Sequence, residues 1–211
     1  MKAKAIRYII FIVVIVIVAF NSVYFKKLDE VKASQSAKDF NPVAYAQTFW
    51  TNKLMPGLAR AIDITRLTNM LSTNPATTFD TYSHALGIGN LRYFLVKGKG
   101  IITSVNEDDI SVLLQSDTTK QTITIAIEYI FGNAIRDATG LININEFNNT
   151  MDFNNVSAEL NKIIREKVLP SFKQQAKKGN TIEFTGAIEL NKEHLDLSEI
   201  EIVPIEIKIL Q

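Results

Sequence analysis

The feature that most constrains this chain is a change of hydrophobic period at Gly87-Ile88-Gly89. Beyond it Phe94, Val96, Ile102, Ile110, Val112, Leu114, Ile123, Ile125 and Ile127 alternate with polar residues, which predicts three consecutive half-buried strands joined by short polar turns. A helical run over 156–178 follows, with Val156, Leu160, Ile163, Ile164 and Val168 at helical spacing, Asn155 or Ser157 as cap and Pro170 as a kink or break. Alternation then returns through Ile182, Phe184, Ile188 and Leu190, and through Leu195, Leu197, Ile200 and Ile202. After Pro204 it changes phase, and Ile205, Ile207 and Ile209 continue as a terminal strand, which predicts a bulge or a switch of partner at the proline. Three strands, a helix and two strands is the order of an OB-type Greek-key barrel, with the helix between strands three and four. Gly98, Gly100 and Gly186 fall where a small barrel must bend. The predicted class is α+β; the alternative is an α+β sandwich with a mixed sheet.

Ahead of this region, residues 28–86 read as helical. Asn41-Pro42 and Asn74-Pro75 each combine a cap with a first-turn proline, Tyr45, Phe49 and Trp50 share a face, and Met55-Pro56-Gly57 separates two helices. The aromatic residues are expected in the core rather than on a ligand platform.

The first thirty residues are different in kind. No Asp, Glu, Lys or Arg occurs over residues 8–25, an 18-residue stretch that, at about 1.5 Å per residue, just covers a bilayer core of about 30 Å. Lys2, Lys4 and Arg7 precede it and Lys26 and Lys27 follow, so the amino terminus is expected in the cytoplasm. The neighbourhood of Phe20 and Asn21 is a poor cleavage context, which favours a retained single-pass signal-anchor over a removed signal peptide. The expected organisation is a cytoplasmic tip and anchor over 1–27, a helical region over 28–90 and the barrel over 91–211, the last two forming one extracytoplasmic unit at a bacterial inner or plasma membrane. The chain has no Cys, which removes disulfides, thiol catalysis and a lipid-modified cysteine from within it. Of its 23 basic and 22 acidic residues, five and two fall in the first thirty, so the remainder carries about −2 and has no basic stripe. Nucleic acid is therefore not an expected partner.

Catalytic signatures are weak throughout. Neither Gly87/Gly89 nor Gly98/Gly100 completes a phosphate loop, and His84 and His194 have no paired ligand at helical spacing, so neither cofactor nor metal is expected. Glu107-Asp108-Asp109 reads as a solvated turn. The segment Phe131-Gly132-Asn133-Ala134-Ile135-Arg136-Asp137-Ala138 stands apart, because it places opposite charges and an amide in the connection leaving the third strand. Sequence neighbours do not face each other on a helix, so Arg136 and Asp137 are expected to reach different partners. A helix cap by Asp137 and a loop-pinning Arg136 is the structural alternative to a ligand site. The Asn-rich run over 143–155 reads as an irregular loop. Asn133, Arg136 and Asp137, with Tyr82 and with Asn143 at the head of that run, are the expected ligand- or partner-facing residues.

With these residues in place the chain resembles domain of unknown function 2291, a family described as predicted periplasmic lipoproteins. The resemblance runs from Asp29-Glu30-Val31-Lys32-Ala33 through Tyr45, Trp50, Pro56, Tyr82 to Gly89 and Lys97-Gly98-Lys99-Gly100. Its most specific part is Gly132-Asn133-Ala134-Ile135-Arg136-Asp137-Ala138, followed by Phe147 and Asn161. It implies a membrane-attached extracytoplasmic protein associated with sugar transport systems of the ribose type, with no known catalytic residues. The expectation is thus a binding or accessory module that contacts membrane lipid through residues 8–25 and serves a transport component or a small polar solute. An enzyme acting on carbohydrate through Asp137 and a second carboxylate is the alternative, and a purely structural interaction protein is a third.

Overall fold

The computed structural model describes residues 8, 11–15, 40–115, 120–147 and 149–210. They fall into two units divided after Phe40. In the first, Tyr8 and residues 11–15 are helical and exposed. The expected membrane helix over 8–25 otherwise lies outside the described residues, among which no helix is long and apolar enough to cross a membrane.

The second unit begins with α1 (Pro42–Phe49), whose first turn is closed by Asn41: its Oδ1 accepts from the Ala44 N–H at 3.0 Å. Met55-Pro56-Gly57 does not separate two helices. The chain stays helical to Arg60 because a π turn, Trp50–Leu54, precedes the proline, and the Met55 N–H reaches back five residues to the Trp50 carbonyl. Widening the turn accommodates a residue that has no N–H and whose ring would otherwise strike the carbonyl one turn back. The same device recurs at Pro170. Here α5 (Thr150–Ile163) passes through a π turn, Ile164–Val168, into α6 (Leu169–Gln175), with the Leu169 N–H on the Ile164 carbonyl. The cap of α5 is Asn149, whose Oδ1 accepts from the Asp152 N–H at 2.8 Å, so the helix starts earlier than Asn155 or Ser157 and absorbs the end of the Asn-rich run.

Between α1 and the barrel lie β1 (Ile62–Asp63), α2 (Ile64–Thr73) and α3 (Pro75–Tyr82). The region is not wholly helical: Ile62 and Asp63 pair in parallel with Val96 and Lys97, two residues being too few to display alternation. The barrel comprises β2 (Leu91–Val105), β3 (Asp109–Leu114), β4 (Thr122–Ala126), β5 (Thr181–Asn191) and β6 (Glu201–Leu210). Around it the order is β2-β3-β4-β6-β5, and β5 returns to β2, so the sheet closes; all barrel pairs are antiparallel except β4–β6. A single helix-bearing crossover, 127–180, connects β4 to β5. This is the OB-type arrangement the alternation predicts.

Closure depends on β2, which pairs with β5 over Leu91–Ile101 and with β3 from Gly100 onward. A Cβ at Gly98 would lie 2.7 Å from Phe184 Cζ, and one at Gly186 would lie 2.5 Å from the Val203 carbonyl oxygen, so both glycines are sites of close approach. At Pro204 the register of β6 against β5 shifts, while Glu201 and Ile202 pair with β4, so both the bulge and the change of partner are present. Leu195 and Leu197 are not in a strand; they are half-buried side chains in a largely exposed loop between β5 and β6. Phe94, Val96, Ile102, Ile110, Val112, Ile123, Ile125, Ile182, Phe184 and Ile202 are all fully buried and form the core of the barrel region.

Candidate functional site

The segment leaving β4 folds into one helical turn, α4 (Ala134–Asp137), against α5 and strands β2, β5 and β6. Three polar residues of the long helix hold it, four positions apart on one face. Ser157 Oγ donates to Asn133 Oδ1 at 3.1 Å, Asn161 Nδ2 to the Gly132 carbonyl at 2.9 Å, and Arg165 Nη1 to the Ile130 carbonyl. Ser157 and Asn161 are buried, and nothing in the apolar pattern of the helix singled out their role.

Arg136 and Asp137 do not reach different partners. Both side chains are 3% exposed, and they clasp each other: Arg136 Nε donates to Asp137 Oδ1 at 2.5 Å and Nη2 to Oδ2 at 3.1 Å. The rule that neighbours diverge holds along a continuous helix, but α4 is a single turn, and a long guanidinium side chain can curl back over it. In a buried setting the alternative would be two unpaired charges. Arg136 Nη1 also donates to the Phe153 carbonyl at 3.3 Å, and the guanidinium lies 3.4 Å from the centroid of the Phe153 ring. Phe153 packs edge-on against Phe147, and Phe147 against Tyr45, whose hydroxyl donates to Glu146 Oε2 at 2.6 Å. Burial first, then Glu146, pushes the Tyr45 phenol above its ordinary range.

Of these residues, Asn133, Arg136, Asp137, Phe147 and Phe153 border a cavity of about 550 Å3. Asn133, Arg136, Asp137 and Tyr93 supply polar groups, Phe147 and Phe153 supply aromatic surface, and the loop 85–90, with Leu91 at the start of β2, contributes a further wall. At the tip of that loop Ile88 is wholly exposed between Gly87 and Gly89. Tyr93 is buried in β2 opposite Glu189; burial, then Glu189, then the Asp137 charge hold its phenol protonated well above the usual range, with Asn133 opposing. Tyr93 is the residue sequence reasoning missed, because it sits inside a strand that reads as core.

Two expected residues lie elsewhere. Tyr82 borders a separate open groove of about 860 Å3 between α2 and α3, with Asn69, Thr73 and Thr77. Asn143 turns its Oδ1 onto the Asn145 N–H at 3.0 Å and closes the 3-10 turn Ile144–Glu146. No cluster of three potential metal ligands occurs among the described residues.

A closed five-stranded barrel with a helix-bearing crossover between its third and fourth strands defines an OB-fold protein. Its likeness to a crystal structure described as an OB-fold protein from Thermotoga maritima agrees: the TM-score is 0.72 at 29% identity, over 82% of this chain and all of the other. The chain belongs to the family DUF2291, described as predicted periplasmic lipoprotein, whose model matches residues 13–208. No curated protein matches it.

Proposed function

We propose that this protein is an extracytoplasmic, membrane-anchored binding module that holds a small polar solute, such as a sugar, in the cavity above the Arg136–Asp137 pair and assists a transport system in its uptake. The observation that carries the reading is the cavity. It is of a size that encloses small molecules, it is walled by apolar and aromatic surface, and a few polar groups converge on it. Asn133, Arg136 and Asp137 are its proposed ligand-facing residues, with Tyr93 added and Tyr82 and Asn143 left out. Arg136 commits three of its five N–H groups to Asp137 and Phe153, so it is both a strut and a donor with capacity to spare. The periplasmic description of the family supports the location, and the uncharged stretch over 8–25 supports an anchor that needs no cysteine.

A carbohydrate-acting enzyme is disfavoured by the same geometry. Both oxygens of Asp137 accept from Arg136, and no second Asp or Glu is among the described residues lining the cavity, so the paired carboxylates of a glycosidase are not assembled there.

A thermal-shift and calorimetric screen of the full-length protein in mild detergent against sugars tests the binding reading, since a ligand of the folded state raises its apparent stability. Tyr93→Phe, which deletes one hydroxyl and keeps the ring, is expected to weaken a hit about fivefold or more with little loss of stability. A hit unaffected by Tyr93→Phe and by Asn133→Ala would place the ligand outside this cavity. Extraction of membranes at alkaline pH tests the anchor: the protein stays in the pellet if residues 8–25 span the bilayer, and is released if they do not.

A further inference from the structure

Arg136 and Asp137 are the only charged residues among those described as lining the cavity, and they neutralise each other. With both side chains 3% exposed, the guanidinium is already matched in charge before any ligand arrives. The other polar groups on the lining are amides and hydroxyls, including Asn90, Asn133, Asn154, Thr150 and Tyr93. Glu189, paired across the strands from Tyr93, adds negative charge beside that hydroxyl.

We propose that the cavity selects an uncharged polyhydroxylated ring and rejects the phosphorylated or carboxylated forms of the same ring. The inference rests on the solute-binding reading above and specifies its ligand class. A sugar hydroxyl both donates and accepts, as do side-chain amides and hydroxyls, while the C–H faces of the ring suit aromatic walls such as Phe147. An anion gives up its hydration on entry, and the spare N–H groups of Arg136 return hydrogen bonds but no net positive charge, because Asp137 already balances the guanidinium; full charge pairing would draw Arg136 away and leave a buried carboxylate unpaired. A cationic ring fares no better, because the Asp137 oxygens are occupied by Arg136.

Matched sets decide the matter: glucose against glucose 6-phosphate, glucuronate and glucosamine, and ribose against ribose 5-phosphate, each titrated into the full-length protein in detergent. The neutral member of a binding set should be tighter than its charged counterparts by about tenfold or more. Asp137→Asn removes the matching charge and keeps the shape, so in that variant the gap between the neutral and anionic members should close by about tenfold. Charged members binding as tightly as the neutral one, or a gap unaltered in folded Asp137→Asn, would overturn this inference and leave the solute-binding reading standing. If Asp137→Asn does not fold, the wild-type comparison decides alone. Silence from every member of both sets removes both readings together.

Discussion

Arg136→Ala isolates the energetic role of the buried pair. The substitution strips both oxygens of Asp137 of their donors, at 2.5 and 3.1 Å, removes a donor from the Phe153 carbonyl and uncovers the face of the Phe153 ring. Asp137 cannot turn to water, because it is 3% exposed at the base of a one-turn helix held on α5. Breaking a buried ion pair from one side costs about 3–5 kcal/mol. That is a large part of the roughly 5–15 kcal/mol available to a domain. With a urea slope of about 2 kcal/mol per molar, the unfolding midpoint should fall by about 2 M. Trp50, the single tryptophan, is half-buried at the start of the π turn that follows α1 and gives the fluorescence signal. The double substitution Arg136→Met, Asp137→Leu removes both charges at similar volume, and should recover all but about 1 kcal/mol or exceed the wild type. A loss below about 1 kcal/mol for Arg136→Ala, or a double variant as unstable as the single one, would refute the assignment of the pair as a mutually dependent unit.

Two further outcomes follow from His84. Gly140 has φ +64°, and a Cβ there would sit 2.5 Å from His84 Nδ1, so Gly140→Ala should cost about 2–3 kcal/mol in urea unfolding, less in a His84→Ala background that frees the space. Burial first, and Arg60 second, hold the His84 imidazole below its ordinary pKa of 6.5, so the fold favours the neutral ring while the unfolded chain takes up a proton. Stability from this source is therefore complete above the ordinary histidine range and declines as pH falls from about 7 toward the depressed folded value; a pH series of thermal unfolding should show that decline, and His84→Asn should flatten it.

The barrel was legible because closed sheets bury one side of each strand. The Ile110-Val112-Leu114 and Ile123-Ile125 alternations mark β3 and β4, with Ile127 one residue past the end of β4, and the phase change at Pro204 marks a real bulge and exchange of partner. Less was legible where tertiary contact overrides a local rule. Pro56 reads as a break and Pro170 as a kink or break, yet each is carried inside a helix by a preceding π turn, a backbone change with no side-chain signature. Leu195 and Leu197 alternate like a strand but lie in a loop, since alternation reports half-burial and not pairing. At the site, the sequence marked Asn133, Arg136 and Asp137 as unusual but assigned the two charges to different partners. Their mutual clasp depends on the one-turn length of α4 and on burial, neither of which is written locally. Tyr93 was hidden inside an apolar strand, and Ser157, Asn161 and Arg165 emerge as a polar face only once the 130–133 segment is seen lying along it.

A crystal structure of the protein soaked with its tightest-binding neutral sugar tests most directly whether a ligand sits in the cavity over the Arg136–Asp137 pair. Density is expected within the cavity, with hydroxyls in hydrogen-bond reach of Asn133, Arg136 and Tyr93 and with the Arg136–Asp137 clasp intact. Density instead in the groove between α2 and α3 beside Tyr82, or at the surface with the cavity unchanged, would contradict it.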